Sequence, residues 1–267
     1  MNREIYIQMA EVEDDHWWFA GRRAIVESLL ARFGLARDAA ILEAGCGTGG
    51  NLRMLARRGS VCAMDLDEQA CGFARARGIG EVAVGRLPDQ IPFGDRCFDL
   101  VLMTDVLEHL DDDGAALRAL RERLRPGGLL FLTVPAFQYL WSPHDVAHHH
   151  RRRYRAGQLR KVVSEAGYDI RYLSYYNFLL FPPILAARSV QRLTGLHTED
   201  HGLGLPLRPV NWLLRKTFSA ERFLLGRASL PVGVSLILLA RNASPQVFRG
   251  RDDTQAPVAQ ERALAGA

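Results

Sequence analysis

The sequence predicts an α/β fold built on a doubly wound, mostly parallel sheet. Three observations lead there. Residues Ile41-Leu-Glu-Ala-Gly-Cys-Gly-Thr-Gly-Gly-Asn-Leu52 read as a strand, a glycine loop and the start of a helix. From 39 to 135 short apolar runs alternate with helix-compatible stretches, the pattern of parallel strands joined by right-handed crossovers. Asp65 closes the second apolar run, twenty positions after Gly45, where a carboxylate can accept both hydroxyls of a ribose.

The chain opens acidic and then aromatic, Glu11-Val-Glu-Asp-Asp-His16-Trp-Trp-Phe-Ala-Gly-Arg-Arg23, and continues as an amphipathic helix to Phe33. Trp17 and Trp18 carry too much apolar surface to stand in water, so they are expected to staple this segment, residues 1–38, to the domain. It would then act as a helical lid, with Arg22 or Arg23 near an anionic ligand group. Strands are expected at 39–44, 60–65, 81–85, 97–104 and 128–135, and helices at about 50–58, 67–77 and 112–124. Gln158 to Ala166 reads as a helix that Gly167 can cap, and Asp169 to Tyr176 as a sixth strand. A final strand covers 232–241. Between these last two lies an insertion, 178–231, of two or three amphipathic helices with apolar and basic sides, broken by Pro182-Pro183, Pro206 and Pro209. Residues 244–267 have no periodic apolar face and read as a disordered tail.

Composition bounds the possibilities. The chain has 267 residues, 48% of them hydrophobic, enough for a full core. No run of eighteen apolar residues predicts a membrane span. Met1-Asn-Arg-Glu-Ile-Tyr6 lacks the charged-then-apolar pattern of a secretion signal. Cys46, Cys62, Cys71 and Cys97 show no C-x-x-C spacing and read as reduced thiols, which predicts a cytoplasmic protein. The net charge of +4 is carried almost wholly by arginine, Lys161 and Lys216 being the two lysines. Such a surface suits an anionic substrate, a membrane face or nucleic acid, and selects none of them.

The glycine spacing admits two ligands. Gly45, Gly47 and Gly50 satisfy the dinucleotide pattern G-x-G-x-x-G, which would suit NAD. The run Glu43-x-Gly45-x-Gly47-x-Gly49, however, resembles the first motif of class I S-adenosylmethionine-dependent methyltransferases. Asp65, Phe98-Asp-Leu-Val-Leu-Met-Thr-Asp-Val-Leu-Glu-His-Leu110 and Leu124-Arg-Pro-Gly-Gly128 extend the resemblance in order. It covers residues 39–177 and the final strand. The tryptophan-rich lead resembles that of ubiquinone-type O-methyltransferases, and a bacterial methyltransferase group linked to cell-surface polysaccharide or lipid synthesis.

The resemblance implies a Rossmann-like core over 39–177 and 232–243: a seven-stranded sheet whose last strand is antiparallel. It implies S-adenosyl-L-methionine as cofactor, held by Glu43, Gly45, Gly47, Gly49, Asp65, Leu66 and Asp105. The family commonly carries an acid after the third strand to meet the adenine. Here Gly85 is followed by Arg86-Leu87-Pro88-Asp89, which leaves the Leu87 backbone, or Asp89, for that contact.

Two segments carry the expected chemistry. Asp105-Val-Leu-Glu108-His109 follows a buried strand and emerges at the reaction face, where a histidine suits proton transfer. The ubiquinone enzymes carry a similar acidic-x-x-Glu-His motif associated with a divalent metal; the expectation here is no metal. The segment 135–154 contains Trp141, Asp145, His148, His149, His150, Arg151, Arg152, Arg153 and Tyr154. An aspartate orienting a histidine makes a general base. Asp145 with His150, or else His109, is therefore the expected catalytic group. Trp141, Arg153 and Tyr154 are expected to face the acceptor, with the arginines holding an anion bidentately.

The expected activity is methyl transfer to a small-molecule or lipid- or saccharide-linked acceptor, most readily at oxygen. Peripheral contact with the inner face of a membrane through 178–225 is part of that expectation. Two other readings stand beside it: an RNA-directed methyltransferase or nucleic-acid-binding module, suggested by Arg151 to Arg153, and an NAD-dependent oxidoreductase, suggested by the glycine spacing alone.

Overall fold

The computed structural model describes residues 3–194 and 204–243. The segment 244–267, expected to be a disordered tail, lies outside the described residues. The chain order is α1 (Arg3–Val12), α2 (Trp17–Arg32), β1 (Ala39–Ala44), α3 (Leu52–Leu55), β2 (Gly59–Asp65), α4 (Glu68–Ala76), β3 (Glu81–Val84), β4 (Phe98–Thr104), α5 (Asp113–Glu122), β5 (Leu124–Pro135), α6 (Pro143–Ala147), α7 (Ala156–Glu165), β6 (Tyr168–Tyr176), α8 (Phe181–Thr194), α9 (Arg208–Ala220) and β7 (Ser235–Asn242).

The strands form one sheet in the order β3-β2-β1-β4-β5-β7-β6. The first five run parallel, and β7 lies antiparallel between β5 and β6. This is the doubly wound Rossmann-like sheet with an antiparallel last strand. Its central strands are covered on both faces, so they read as continuous apolar runs. Ile41, Leu100, Leu102, Phe131 and Ile237 pack on one side with Leu29 and Leu30 of α2. Leu42, Val101, Met103, Leu130 and Leu238 pack on the other with α5 and α7.

Two boundaries move from expectation. The helix after the glycine loop is a single turn, because Gly59 must already stand in register with Ala39. A Cβ at Gly59 would lie 1.9 Å from the Ala39 carbonyl oxygen, so the chain straightens there. Strand β5 starts at Leu124 rather than 128, because Leu124 pairs with Phe98 before the register shifts.

The aromatic lead staples α2 to the insertion. Trp18 stacks on Phe218 of α9 with ring centroids 5.0 Å apart, and Trp17 meets the same ring edge-on at 5.9 Å. Asn211 of α9 accepts from the Trp17 amide at 2.8 Å and donates to the Asp15 carbonyl at 3.0 Å. No helix among the described residues is long and apolar enough to cross a membrane.

Candidate active site

The winding reverses between β1 and β4, and open α/β sheets bind ligands in the crevice at that point. The glycine loop after β1 and the segment after β4 meet there closely. A Cβ on Gly45 would lie 2.4 Å from a Val106 methyl, and Gly45 has φ +81°, so glycine alone serves. Asp105 sits at φ 55°, a left-handed conformation that aspartate tolerates better than most residues. Its carboxylate accepts from the Thr133 hydroxyl at 3.0 Å and is paired with Arg22.

Above these loops opens a cavity of about 760 Å³, within the range of small-molecule sites. Gly45, Gly47, Asp65, Leu66 and Asp105 line its cofactor side. Asp65 accepts the Gly47 amide at 2.8 Å and the Asp67 amide at 3.1 Å. Burial raises its pKa, and those backbone hydrogen bonds oppose the rise. Arg22 enters the wall from α2 with its Nε buried and unpartnered among the described residues. A ribose-bearing ligand with a carboxylate fits this set: Asp65 for the hydroxyls, Arg22 for the anion, and glycines where the backbone must come close.

Three expected cofactor residues lie elsewhere. Glu43 is wholly buried beneath the loop, where its Oε1 accepts from Asn51 at 2.7 Å; Asn51, not Glu43, reaches the cavity. Gly49 turns towards α4, since a Cβ there would lie 3.0 Å from Ala74 Cα. Arg86 and Gln90 exchange backbone hydrogen bonds at 2.8 and 2.7 Å, and this tight turn packs Leu87 onto the core and away from the cavity wall.

On the acceptor side His109, His150 and Arg153 line the cavity. His150 Nδ1 lies 2.8 Å from Asp145 Oδ1. Arg153 Nε and Nη2 donate to the two oxygens of Asp145 at 2.7 and 2.9 Å, and the Ser142 amide donates to Oδ2 at 2.8 Å. Burial opposes ionisation of Asp145, but the bonds from His150 and Arg153 outweigh it and hold the carboxyl well below its usual range. An ionised Asp145 accepts a hydrogen bond from the Nδ1–H of His150, the tautomer that leaves Nε2 with its lone pair. His109 stands beside it, ring centroids 4.8 Å apart. Burial, then the neighbouring His150, lowers the His109 pKa to about 4, so His109 is neutral at neutral pH.

The arginines are spent internally, contrary to the expectation of an anion clamp. Arg153 uses all three nitrogens on Asp145 and the Ala136 carbonyl. Arg152 donates to the Leu110 and Asp111 carbonyls and to Asp113, and Arg151 to the His109 carbonyl and Asp111. Tyr154 is a core residue: its ring packs beneath the sheet and its hydroxyl donates to Asp113 at 2.8 Å. Trp141 closes the short turn Gln138–Leu140 with its amide and is not among the side chains lining the cavity.

Sequence reasoning missed Glu13 and Asn177, and named Glu108 only within the acidic-x-x-Glu-His motif. Glu13 of the N-terminal segment is buried against the glycine loop, bonded to the Thr48 hydroxyl and to Arg77. It lies where a Cβ of Gly50 would be, 2.2 Å from Oε2, so Tyr6 and Met9 of α1 roof the cavity. Asn177, just after β6, lies in the cavity wall, fully buried, with neither side-chain amide atom partnered among the described residues. Glu108 is fully buried with no hydrogen-bond partner for either oxygen among the described residues, Oε1 lying 3.9 Å from His150 Nε2. Burial, then the nearby Asp105, raises its pKa well above the carboxylate range. No local spacing marks the role of Glu13, whose partners Thr48 and Arg77 are distant in the chain. Glu108, His109 and His150 also offer ligand atoms within 4.8 Å of one another, a nitrogen-rich set that suits a transition-metal or zinc ion.

The fold is a doubly wound α/β domain whose cavity suits a nucleoside, with His150, backed by Asp145, in its wall. A family model described as "Methyltransferase domain" matches residues 18–173, and the chain belongs to that family. Its cofactor is S-adenosylmethionine, which sets aside the NAD reading of the glycine loop. The chain is 30% identical over 164 residues to a protein of Mycolicibacterium smegmatis named as an S-adenosylmethionine-dependent methyltransferase, covering 59% of this chain and 61% of that one. It is 28% identical over 167 residues to the ubiquinone biosynthesis O-methyltransferase of Idiomarina loihiensis, covering 54% and 66%. The fold is similar, at TM-score 0.59 and 19% identity, to a structure of the Haloferax volcanii Trm112 methyltransferase activator with its methyltransferase, covering 91% and 95%.

Proposed function

We propose that the protein methylates a hydroxyl group on a small-molecule or lipid- or saccharide-linked acceptor. The observation that carries the choice of oxygen is the His150–Asp145 hydrogen bond of 2.8 Å in a cavity that also holds the glycine loop and Asp65. A hydroxyl must lose its proton as it attacks, and an oriented imidazole can receive it. When bound, S-adenosylmethionine supplies an electrophilic methyl group and leaves as the neutral thioether. The chain's own work is placement and proton transfer. His150 Nε2 receives the acceptor proton. Asp145 holds the ring through Nδ1 and stabilises the imidazolium, and Arg153 fixes Asp145. The name of the Idiomarina loihiensis relative, an O-methyltransferase, agrees with oxygen as the target.

The test is transfer of labelled methyl to hydroxylated acceptors and to their amine analogues. His150→Ala is expected to lower kcat on a hydroxyl acceptor by about 10²–10⁴-fold, with S-adenosylhomocysteine affinity unchanged. Transfer to amines at full rate by the variant would point to nitrogen instead.

The unpartnered oxygens of Glu108 favour a second reading, in which Glu108, His109 and His150 serve as metal ligands and none as base. Turnover that survives thorough chelation would rule that reading out.

A further inference from the structure

Ten of the fifteen large apolar side chains exposed among the described residues lie between 179 and 224. They belong to the insertion, and its helices have two sides. Ile184, Ala187, Arg188 and Gln191 of α8 line the cavity. Pro182, Ala186, Val190 and Leu193 stand exposed on the opposite side at i, i+4, i+8 and i+11, with Leu193 87% exposed. Helix α9 repeats the arrangement. Leu214 and Phe218 pack into the core, while Trp212 and Leu213 are exposed by 59% and 58%.

The charge of this region is one-sided. Residues 178–194 and 204–231 carry seven arginines or lysines and one acid, Glu221. Glu221 is buried, accepting the Asn177 and Leu179 amides at 2.7 and 2.9 Å, so it offers nothing to the surface. Arg208, Arg215 and Lys216 are exposed on α9, with the Lys216 ammonium 5.8 Å from the Trp212 ring centroid. The whole chain, by contrast, balances 34 basic residues against 30 acidic ones. Exposed apolar surface on this scale marks a contact site. Apolar side chains with a tryptophan, flanked by cations and with no exposed acid among the described residues of the insertion, match the interfacial layer of an anionic bilayer.

We propose that the outward sides of α8 and α9 dock on an anionic lipid bilayer. Trp212, Leu213, Val190 and Leu193 enter the interfacial layer, and the exposed cations of α9 meet lipid phosphates. The docking stands on this surface alone. On the methyl-transfer reading, α8 then becomes the wall between the bilayer and the cavity, which selects an acceptor held at the membrane.

The test is flotation of the full-length protein with vesicles of phosphatidylcholine, with and without about one third phosphatidylglycerol. The wild type is expected to float with the anionic vesicles, to stay behind with the neutral ones, and to lose binding as salt rises. Trp212→Glu with Leu213→Glu, and separately Arg208→Glu with Lys216→Glu, are expected to weaken binding at least tenfold, since each cation at such a surface is worth roughly fivefold. All four side chains are exposed, and circular dichroism of the variants checks that the fold is kept. A wild type that stays soluble with anionic vesicles overturns the proposal, as does binding that neither pair changes. Concentration-dependent dimerisation abolished by Trp212→Glu, without vesicle binding, overturns it in favour of a second copy of the chain. Vesicle binding needs no turnover, so its failure leaves the methyl-transfer reading untouched.

Discussion

The two halves of the cavity are made in different ways. The cofactor half is largely backbone: a glycine loop seven residues long whose Gly45 closes on Val106, one carboxylate at the end of β2, and a left-handed Asp105. The acceptor half is side chain: a carboxylate with five hydrogen-bond donors around it, two histidines in edge contact, and arginines anchored to carbonyls about forty residues away in sequence. A site of the first kind survives the loss of any one side chain with its shape intact. A site of the second kind is a mutual structure, in which removing one member leaves others buried and unpaired.

The sharpest way to break that contrast is Asp145→Asn. Arg153 is 6% exposed and would keep its charge with no carboxylate to meet it. Removing one partner of a buried pair costs about 3–5 kcal/mol, and chemical denaturation should register a loss of that size. The Nδ1 proton of His150 would lose its acceptor charge at the same time, so turnover should fall with stability. A variant as stable as the wild type would mean that the acceptor half is not the interdependent network described.

Asp65→Ala tests the other half, and the expected effect is on binding rather than folding. Two charge-assisted hydrogen bonds to ribose hydroxyls, each worth about 1.5–3 kcal/mol, should be lost, weakening S-adenosylhomocysteine by roughly 10²-fold or more in a calorimetric titration. Unfolding free energy should change far less than in Asp145→Asn. Unchanged affinity would move the ribose contact away from Asp65.

The same contrast explains what was legible in the sequence. The glycine turn and Asp65 follow from short-range spacing, because a tight turn restricts its own residues. Gly45 and Asp65 could be placed from the chain alone. The pairing of Asp145 with His150 was also readable, since five residues separate them. What spacing could not carry was the fate of groups whose partners are remote. Arg153 and Tyr154 look like acceptor ligands in a polar loop, yet one is consumed by Asp145 and the other by Asp113, 41 positions away. Arg22 was expected near an anionic ligand group and Glu13 carried no expectation, yet they reach Asp105, Thr48 and Arg77. Leu87 was misplaced for a related reason: the Arg86–Gln90 turn, not the strand end, decides where it points.

The finest test of the comparison lies in Glu43, where the expected effect vanishes near pH 5 and grows only as pH rises. Both Glu43 and Asp145 are fully buried carboxylates, yet their surroundings push them in opposite directions. Asp145 is held ionised by its donors. Glu43 meets one neutral donor, Asn51, and its other oxygen has no partner among the described residues. Burial pushes its pKa up to about 8, the Asn51 bond and the more distant Arg22 only partly opposing it. Between the ordinary value of 4.5 and about 8 the folded state therefore holds a proton that the unfolded state has lost. A raised folded pKa gives stability that is complete below the unfolded value and is lost as pH rises through the folded one, at on the order of 1 kcal/mol per pH unit. Glu43→Gln mimics the protonated form and removes that slope. The variant should match the wild type near pH 5 and gain on it progressively to pH 8, with no further gain above. The lowered pKa of Asp145 confines its own effect to acid below this window, so the two carboxylates separate cleanly in a pH series of unfolding curves. A variant that falls behind the wild type as pH rises would mean that Glu43 is ionised in the folded protein.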